Sequence, residues 1–284
     1  MSRQKVEWFD LHQQFYIGVI MRLKRFYYFW RLVVPGLGIM TFTMLGVNSA
    51  PFARHFSAQP QTLSVVNRSR PAEVALEILQ RSHGVVITYE DAPYSHEGDV
   101  DDDTSPEWRQ AHPNGFRALI PKRGSLEVTY YKSPGPIRSD EIRSAIQKVL
   151  DAHMEKNYPG RFRLRQEGEM FHVEPIQVKD RFGRLVSVES ILDTPISSPE
   201  QELTGFKALE LITVAVSRAS GIKFVEGTVP MNLLYRTSLR RGAKNEKARD
   251  VLIDVLKATN AKLSWWILYG PYGKEYALNL REVR

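Results

Sequence analysis

The chain has 284 residues, 43% apolar and 25% charged, and no cysteine. That is the composition of a folded globular protein long enough for one large or two ordinary domains, and the missing thiols exclude disulfides, cysteine nucleophiles, iron–sulfur clusters and cysteine-ligated zinc. The net charge of +7 sits mostly at the start, where residues 1–50 carry Arg3, Lys5, Arg22, Lys24, Arg25 and Arg31 against Glu7 and Asp10; the +3 left for the remainder argues against a nucleic-acid partner.

Residues 22–31 are basic and aromatic, and Leu32 to Val47 is a run of sixteen residues without charge. This is the order of a secretory signal, with Val47-Asn48-Ser49 the best-shaped cleavage site. Left uncleaved, the uncharged run from Leu32 to Ala53 has 22 residues, long enough to anchor the chain in a membrane. Pro35, Gly36 and Gly38 count against a buried soluble helix. Signal and anchor agree on sidedness: the basic cluster stays in the cytoplasm, and the chain beyond about residue 54 is expected in the periplasm or outside the cell. A signal of conventional length would begin at Met21, so the true start is Met1 or Met21.

Thr62 to Asn67 reads as a short alternating strand, followed by a turn into a helix over 71–83 on which Ala72, Ala75, Leu76 and Leu79 recur at helical spacing. Gly84 closes that helix and Val85 to Tyr89 is a strand. Asp91 to Gly124 is a long acidic insertion, of the kind that is either functional or disordered. Leu126 to Tyr131 then leads as a strand into a helix over 139–156, with Ile142, Ala145, Ile146, Val149 and Leu150 as its stripe, and on to a hairpin of 161–164 with 170–173. Residues 178–184 read as a linker, and Pro195, Pro199 and the serines between them as a rigid loop. A third stripe, Ala208, Leu211, Ile212, Ala215 and Val216, lies on a helix over 205–220 that Gly221 stops before a strand at 222–225. Leu233 to Leu239 is read as a strand. The fourth stripe, Ala248, Val251, Leu252, Val255 and Leu256, lies on a helix over 246–259 ended by Asn260, with a hairpin around Gly270-Pro271-Tyr272-Gly273 after it.

Ala72 falls on Ala248, Ala75 on Val251, Leu76 on Leu252, Leu79 on Val255 and Gly84 on Asn260 without a gap. Each half reads strand, helix, strand, strand, helix, strand, strand. The expected fold is therefore α+β and internally duplicated, with domains at 60–178 and 184–284, each packing two helices on a small sheet.

A helix ending in Leu-x-x-x-x-Gly that feeds a strand closing on Tyr resembles the short N-terminal (STN) domain of secretins and TonB-dependent receptors. Ala75-Leu76-Glu77-Ile78-Leu79 through Gly84 to Tyr89 carries the likeness, as does Ala248 to Leu256 through Asn260 to Leu263, and two copies cover most of residues 62–284. The whole chain also resembles a class of exported bacterial proteins without an assigned activity. The resemblance implies a periplasmic protein with no catalytic residues and no cofactor, acting by contact with an envelope protein. With no secretin ring or receptor barrel after the second copy, that partner is expected to be a separate polypeptide.

Candidate chemistry is sparse. Asp99-Val100-Asp101-Asp102-Asp103 has D-x-D-x-D spacing, but Thr104 stands where a calcium loop needs glycine and Gln110 where it needs a bidentate glutamate. A solvated acidic loop is the favoured reading, weak divalent binding the alternative. His96, Glu97 and His112, with Glu90 and Asp91, show no metal-ligand spacing, and His83 suits a helix C-terminus as a cation. Ser220-Gly221-Ile222-Lys223 matches S-x-x-K across a helix end, which reads as chance. An enzyme would need a cluster of carboxylates and histidine assembled by the fold.

Trp265, Trp266, Tyr269, Tyr272 and Tyr276 gather at the C-terminal hairpin as candidate partner contacts. Neighbours on a strand face opposite sides, so one tryptophan is expected in the core and the other exposed or in an interface. The functional expectation is a non-enzymatic cell-envelope protein-interaction module that docks through sheet edges and these aromatics. The alternative is a cell-wall or polysaccharide-binding protein.

Overall fold

The computed structural model describes residues 58–284. The expected signal or anchor at 1–53, including the Leu32 to Ala53 run, lies outside the described residues. Among the described residues, no helix is long and apolar enough to cross a membrane.

The fold is α+β. The first repeat runs β1 (Gln59–Ser69), α1 (Pro71–His83), β2 (Val86–Glu90), then β3 (Val100–Asp102), α2 (Pro106–Ala111) and β4 (Leu119–Pro121) within the insertion. It continues with β5 (Arg123–Lys132), α3 (Ser139–Glu155), β6 (Arg161–Glu167) and β7 (Met170–Lys179), and β8 (Leu185–Ser187) follows. The second repeat runs β9 (Pro195–Thr204), α4 (Gly205–Ser220), β10 (Lys223–Glu226), α5 (Met231–Arg236), β11 (Ser238–Lys247), α6 (Ala248–Ala258), β12 (Leu263–Gly270) and β13 (Glu275–Glu282).

Local chemistry sets the helix ends. Pro71 opens α1, where its missing N–H costs nothing, and Gly84 closes it at φ 62, a left-handed position that a side chain would strain. The Thr204 hydroxyl caps α4 by accepting from the Lys207 N–H at 3.2 Å, and Gly221 ends it at φ 72.

Two expectations in the second repeat fail. The stretch with Pro195 and Pro199 is strand β9, not a rigid loop, because it pairs with β11 over its length; Pro195 opens the strand and the register shifts near Pro199, places where a missing N–H is tolerated. Leu233 to Arg236 belongs to α5, so the strand expected at 233–239 begins only at Ser238.

The duplication extends to strand pairing. In each repeat the first strand pairs antiparallel with the strand before the last helix, β1 with β5 and β9 with β11. The strand after the first helix runs parallel to the last strand, β2 with β7 and β10 with β13, and the last strand also closes a hairpin, β6 with β7 and β12 with β13.

The repeats share one sheet. Among the described residues its order is β10-β13-β12-β2-β7-β6, with β8 on β7. The seam is the parallel pair β12 and β2, where Trp266 stands opposite Tyr89 and Ile267 opposite Glu90, and the Asp91 N–H donates to the Ile267 carbonyl at 2.8 Å. Sequence boundaries at 60–178 and 184–284 thus separate the repeats along the chain, while the described residues form one compact unit. Every residue of β2 is buried, so its backbone polar groups need a strand on both sides.

The two helix pairs lie on opposite faces of this sheet. One core gathers α1, α3, β1 and β5 with Tyr89, Phe171, Val173 and Trp266. The other gathers α4, α6 and β9 with Trp265, Ile267, Tyr269 and Leu278. From the pairings, β2, β7 and β12 run one way and β6, β10 and β13 the other. The repeats are therefore related by a half-turn about an axis crossing the strands, plus a shift along that axis.

Candidate interaction surface

Burial corrects most of the hairpin reading. Trp265 and Trp266 are both 0% exposed, and Tyr269 and Tyr276 are also buried. Strand alternation holds, but β12 is an interior strand with helices on both faces, so opposite sides are both core. Trp266 is sealed by the Arg281 guanidinium 4.7 Å from its ring, and Arg281 in turn pairs with Glu77 at 3.0 Å and Glu73 at 3.3 Å on α1. Tyr269 packs between Tyr94 and Tyr276, with ring centroids 6.2 and 5.0 Å away. These four side chains cannot meet a partner while the chain is folded.

Tyr272, at the hairpin tip, is 59% exposed and does not stand alone. Its ring lies 5.2 Å from Phe116 of the insertion, Phe116 lies 5.4 Å from Trp108, and Trp108 stacks on His112 at 3.9 Å with 22° between planes. Phe116 and Trp108 are 46% and 39% exposed. Four rings thus form a continuous strip on the surface.

The insertion is built to present them. Ser105 caps α2 by accepting from the Trp108 N–H at 3.2 Å, with Pro106 at its first turn. Trp108 and His112, four residues apart, share one face. The Gly115 N–H donates to the His112 carbonyl at 2.8 Å, and a Cβ on Gly115 would sit 2.8 Å from the His112 Cβ, so only glycine turns the chain here to bring Phe116 back. The acidic run holds this segment down. Asp99 pairs with Lys179 at 3.3 Å, Asp102 with Arg109 at 3.1 Å and Asp103 with Arg123 at 2.7 Å, while Asp101 accepts from the Arg123 N–H at 2.8 Å. The run is internal clamp rather than solvated loop. Among the described residues, no group of three His, Asp or Glu side chains is placed to hold a metal ion.

Two buried polar clusters lie at the seam, and sequence spacing reveals neither. Asp91 accepts from Arg70 Nε at 2.6 Å, from the Tyr89 hydroxyl at 3.0 Å, from the Tyr94 hydroxyl and from the Tyr269 N–H at 3.1 Å. Burial and this carboxylate push both tyrosine hydroxyls well above their usual range, so they remain donors. On the other face Arg249 of α6 reaches Glu90 and Glu174, each at 2.9 Å, and the Ser190 hydroxyl at 2.7 Å. Next to it His172 Nδ1 lies 2.8 Å from the Thr88 hydroxyl and its ring stacks on Trp265 at 5.1 Å. This is a cluster of carboxylates and histidine of the sort an enzyme would need, yet Glu90, Glu174, Arg249, Thr88 and His172 are all buried. Arg249 pairs with both glutamates there, and the cluster is closed off from solvent.

His172 makes the seam acid-sensitive. Burial, with Arg165 and Arg249 close by, lowers its pKa to about 4. A free imidazole takes its proton near pH 6.5, so the stability from keeping His172 neutral is complete above that pH and is lost as pH falls toward 4. Chemical denaturation at about pH 7 and about pH 4.5 should show a loss of about 2 kcal/mol from this group, since each tenfold difference in proton affinity between the folded and unfolded chain is worth roughly 1.4 kcal/mol. His172→Gln should remove that component; an unchanged pH profile in the variant would reject it.

A surface cleft of about 360 Å³ lies between β1, β5 and α1, lined by Gln61, Thr62, Ile78, Ser82, His83, Tyr130 and Lys132. His83 Nε2 meets the Tyr130 hydroxyl there at 2.8 Å. Partial burial and Lys132 lower the His83 pKa, so it acts as a neutral hydrogen-bonding group rather than a cation at the helix end.

No protein family, curated protein or solved structure matches this chain.

Proposed function

We propose that this chain is a non-enzymatic protein of the bacterial cell envelope, exported to the periplasm or cell surface and held to the membrane by Leu32 to Ala53 wherever that run stays uncleaved, which binds another envelope protein through the strip of Trp108, His112, Phe116 and Tyr272. The carrying observation is convergence. The insertion belongs to the first repeat and the hairpin tip to the second, and the fold brings their exposed rings into contact. Exposed large aromatics side by side are anchors of protein interfaces. The repeated strand-and-helix plan of both halves supports the STN-like reading, in which such modules act by contact and carry no cofactor.

Polysaccharide binding is the second reading, because stacked exposed rings also suit sugar faces. Binding of the full chain to purified peptidoglycan and to proteins crosslinked in intact envelopes separates the two. Phe116→Ala combined with Tyr272→Ala should leave the unfolding free energy within about 1 kcal/mol, as for exposed positions, and weaken partner binding about tenfold or more. Retention of full binding by that variant would remove the strip from the function.

A further inference from the structure

The seam between the repeats is not self-complementary: it joins the β12 edge of one repeat to the β2 edge of the other. Such a heterologous joint leaves one edge of each kind unused. Among the described residues the sheet ends on β6, the counterpart of β12, and on β10, the counterpart of β2. The half-turn and shift that carry the second repeat onto the first, applied once more, place a new β10 beside β6. Strand directions agree, since β6 and β10 run the same way, as β12 and β2 do.

Side chains agree as well. Counted from its hairpin, Arg163 occupies the place of Trp266. Counted from the parallel pair with the last strand, Glu226 occupies that of Tyr89. The register that sets Trp266 opposite Tyr89 at the seam would therefore set Arg163 opposite Glu226 at the free edges. One residue earlier Phe162 would lie beside Val225, both half-buried apolar side chains. Arg163 points to the face of Glu174, 2.9 Å away, and Glu226 to the side of α4, where Thr213 donates to it. Both lie on the face of the sheet that carries α4 and α6. Charge usually blunts an edge strand. Here Arg161, Arg163 and Arg165 stop β6 from pairing with another β6, while a carboxylate waits on the opposite edge.

We propose that a second copy of this chain adds its β10 parallel to β6, with Arg163 opposite Glu226, so that copies extend one sheet head to tail.

The test uses the full chain. Sedimentation across a wide concentration range should show mass rising with concentration. Arg163→Glu and Glu226→Arg each set like charges at this contact, and each alone should weaken self-association about tenfold, close to 1.4 kcal/mol. Mixed in equal amounts the two variants restore opposite charges at every junction and should associate like the original chain. Because the chain lacks cysteine, a second arm needs no background correction and survives misfolding of either charge variant. Chains bearing only Arg163→Cys and only Glu226→Cys, mixed and oxidised, should form a disulfide-linked pair in preference to either self-pair. A chain that stays monomeric at every concentration, or single-cysteine chains that crosslink without that preference, would overturn the proposal.

Discussion

Arg249→Ala is expected to lower the unfolding free energy by about 3–5 kcal/mol, the range for removing one partner of a buried ion pair. Arg249 is 2% exposed, and Glu90 and Glu174 are each 1% exposed. Its guanidinium lies 2.9 Å from each of these two carboxylates. Without it Glu90 would keep only the Ser190 hydroxyl as a partner in a dry site, while Glu174 would keep Arg163 and Arg165. The partners already differ in balance. Burial raises the Glu90 pKa despite Arg249, whereas at Glu174 the opposing effect of burial is outweighed by Arg249, Arg163 and Arg165 and the pKa falls. Glu174 therefore contributes stability above its unfolded pKa that is lost in acid, and Glu90 works in the opposite sense. The ion cluster spans the seam, since Arg249 comes from the second repeat and both glutamates from the first. Denaturant unfolding measured on the variant decides the matter, and a loss below about 1 kcal/mol, the size of an exposed ion pair, would mean the repeats do not depend on it.

Trp266→Ala should cost a similar amount, about 3–5 kcal/mol for a large buried aromatic cut to a methyl. The side chain fills the first repeat's core although it belongs to the second, with its ring 5.9 Å from Tyr89 and its indole N–H donating to the Ser264 hydroxyl at 3.1 Å. Its loss leaves a cavity at the seam and takes from Arg281 the ring beneath it. Trp266→Phe should lose less, because an aromatic ring still covers Tyr89. The two roles open to this residue separate cleanly. A partner anchor would lose binding with stability intact, whereas a seam residue loses stability first, measured as a lower melting temperature in both repeats together.

Much of this fold was legible as local pattern. Helices α1 and α4 lie where the apolar stripes and glycine stops put them, and α3 and α6 differ from their expected spans by a residue or two at the ends. Side-chain spacing on a helix is set by its own geometry, so a stripe reads the same before and after folding. Strands β1, β2, β5, β6 and β7 were legible from alternation and turn residues, whereas β3 and β4 inside the insertion were not. Strand β9 was not: Pro-Ile-Ser-Ser-Pro-Glu-Gln-Glu-Leu-Thr carries no apolar alternation, and β11 alone makes it a strand. The site was half legible. The insertion and the aromatic-rich C-terminal hairpin stood out, yet Trp265 and Trp266 drew attention for their size, while Trp108 and Phe116 lay in a loop with no period to mark them.

The sequence by itself determined the α+β class, the four helices that carry the apolar stripes and the duplication, because each depends on spacing along the chain. The tertiary structure alone decided that both tryptophans are buried, that Asp91 and Arg249 lock the seam, and that Phe116 meets Tyr272. Strand alternation says which residues share a face but never what covers it. Whether a face meets water or a helix depends on a neighbouring strand far away in sequence, and here that neighbour, β2, belongs to the other repeat.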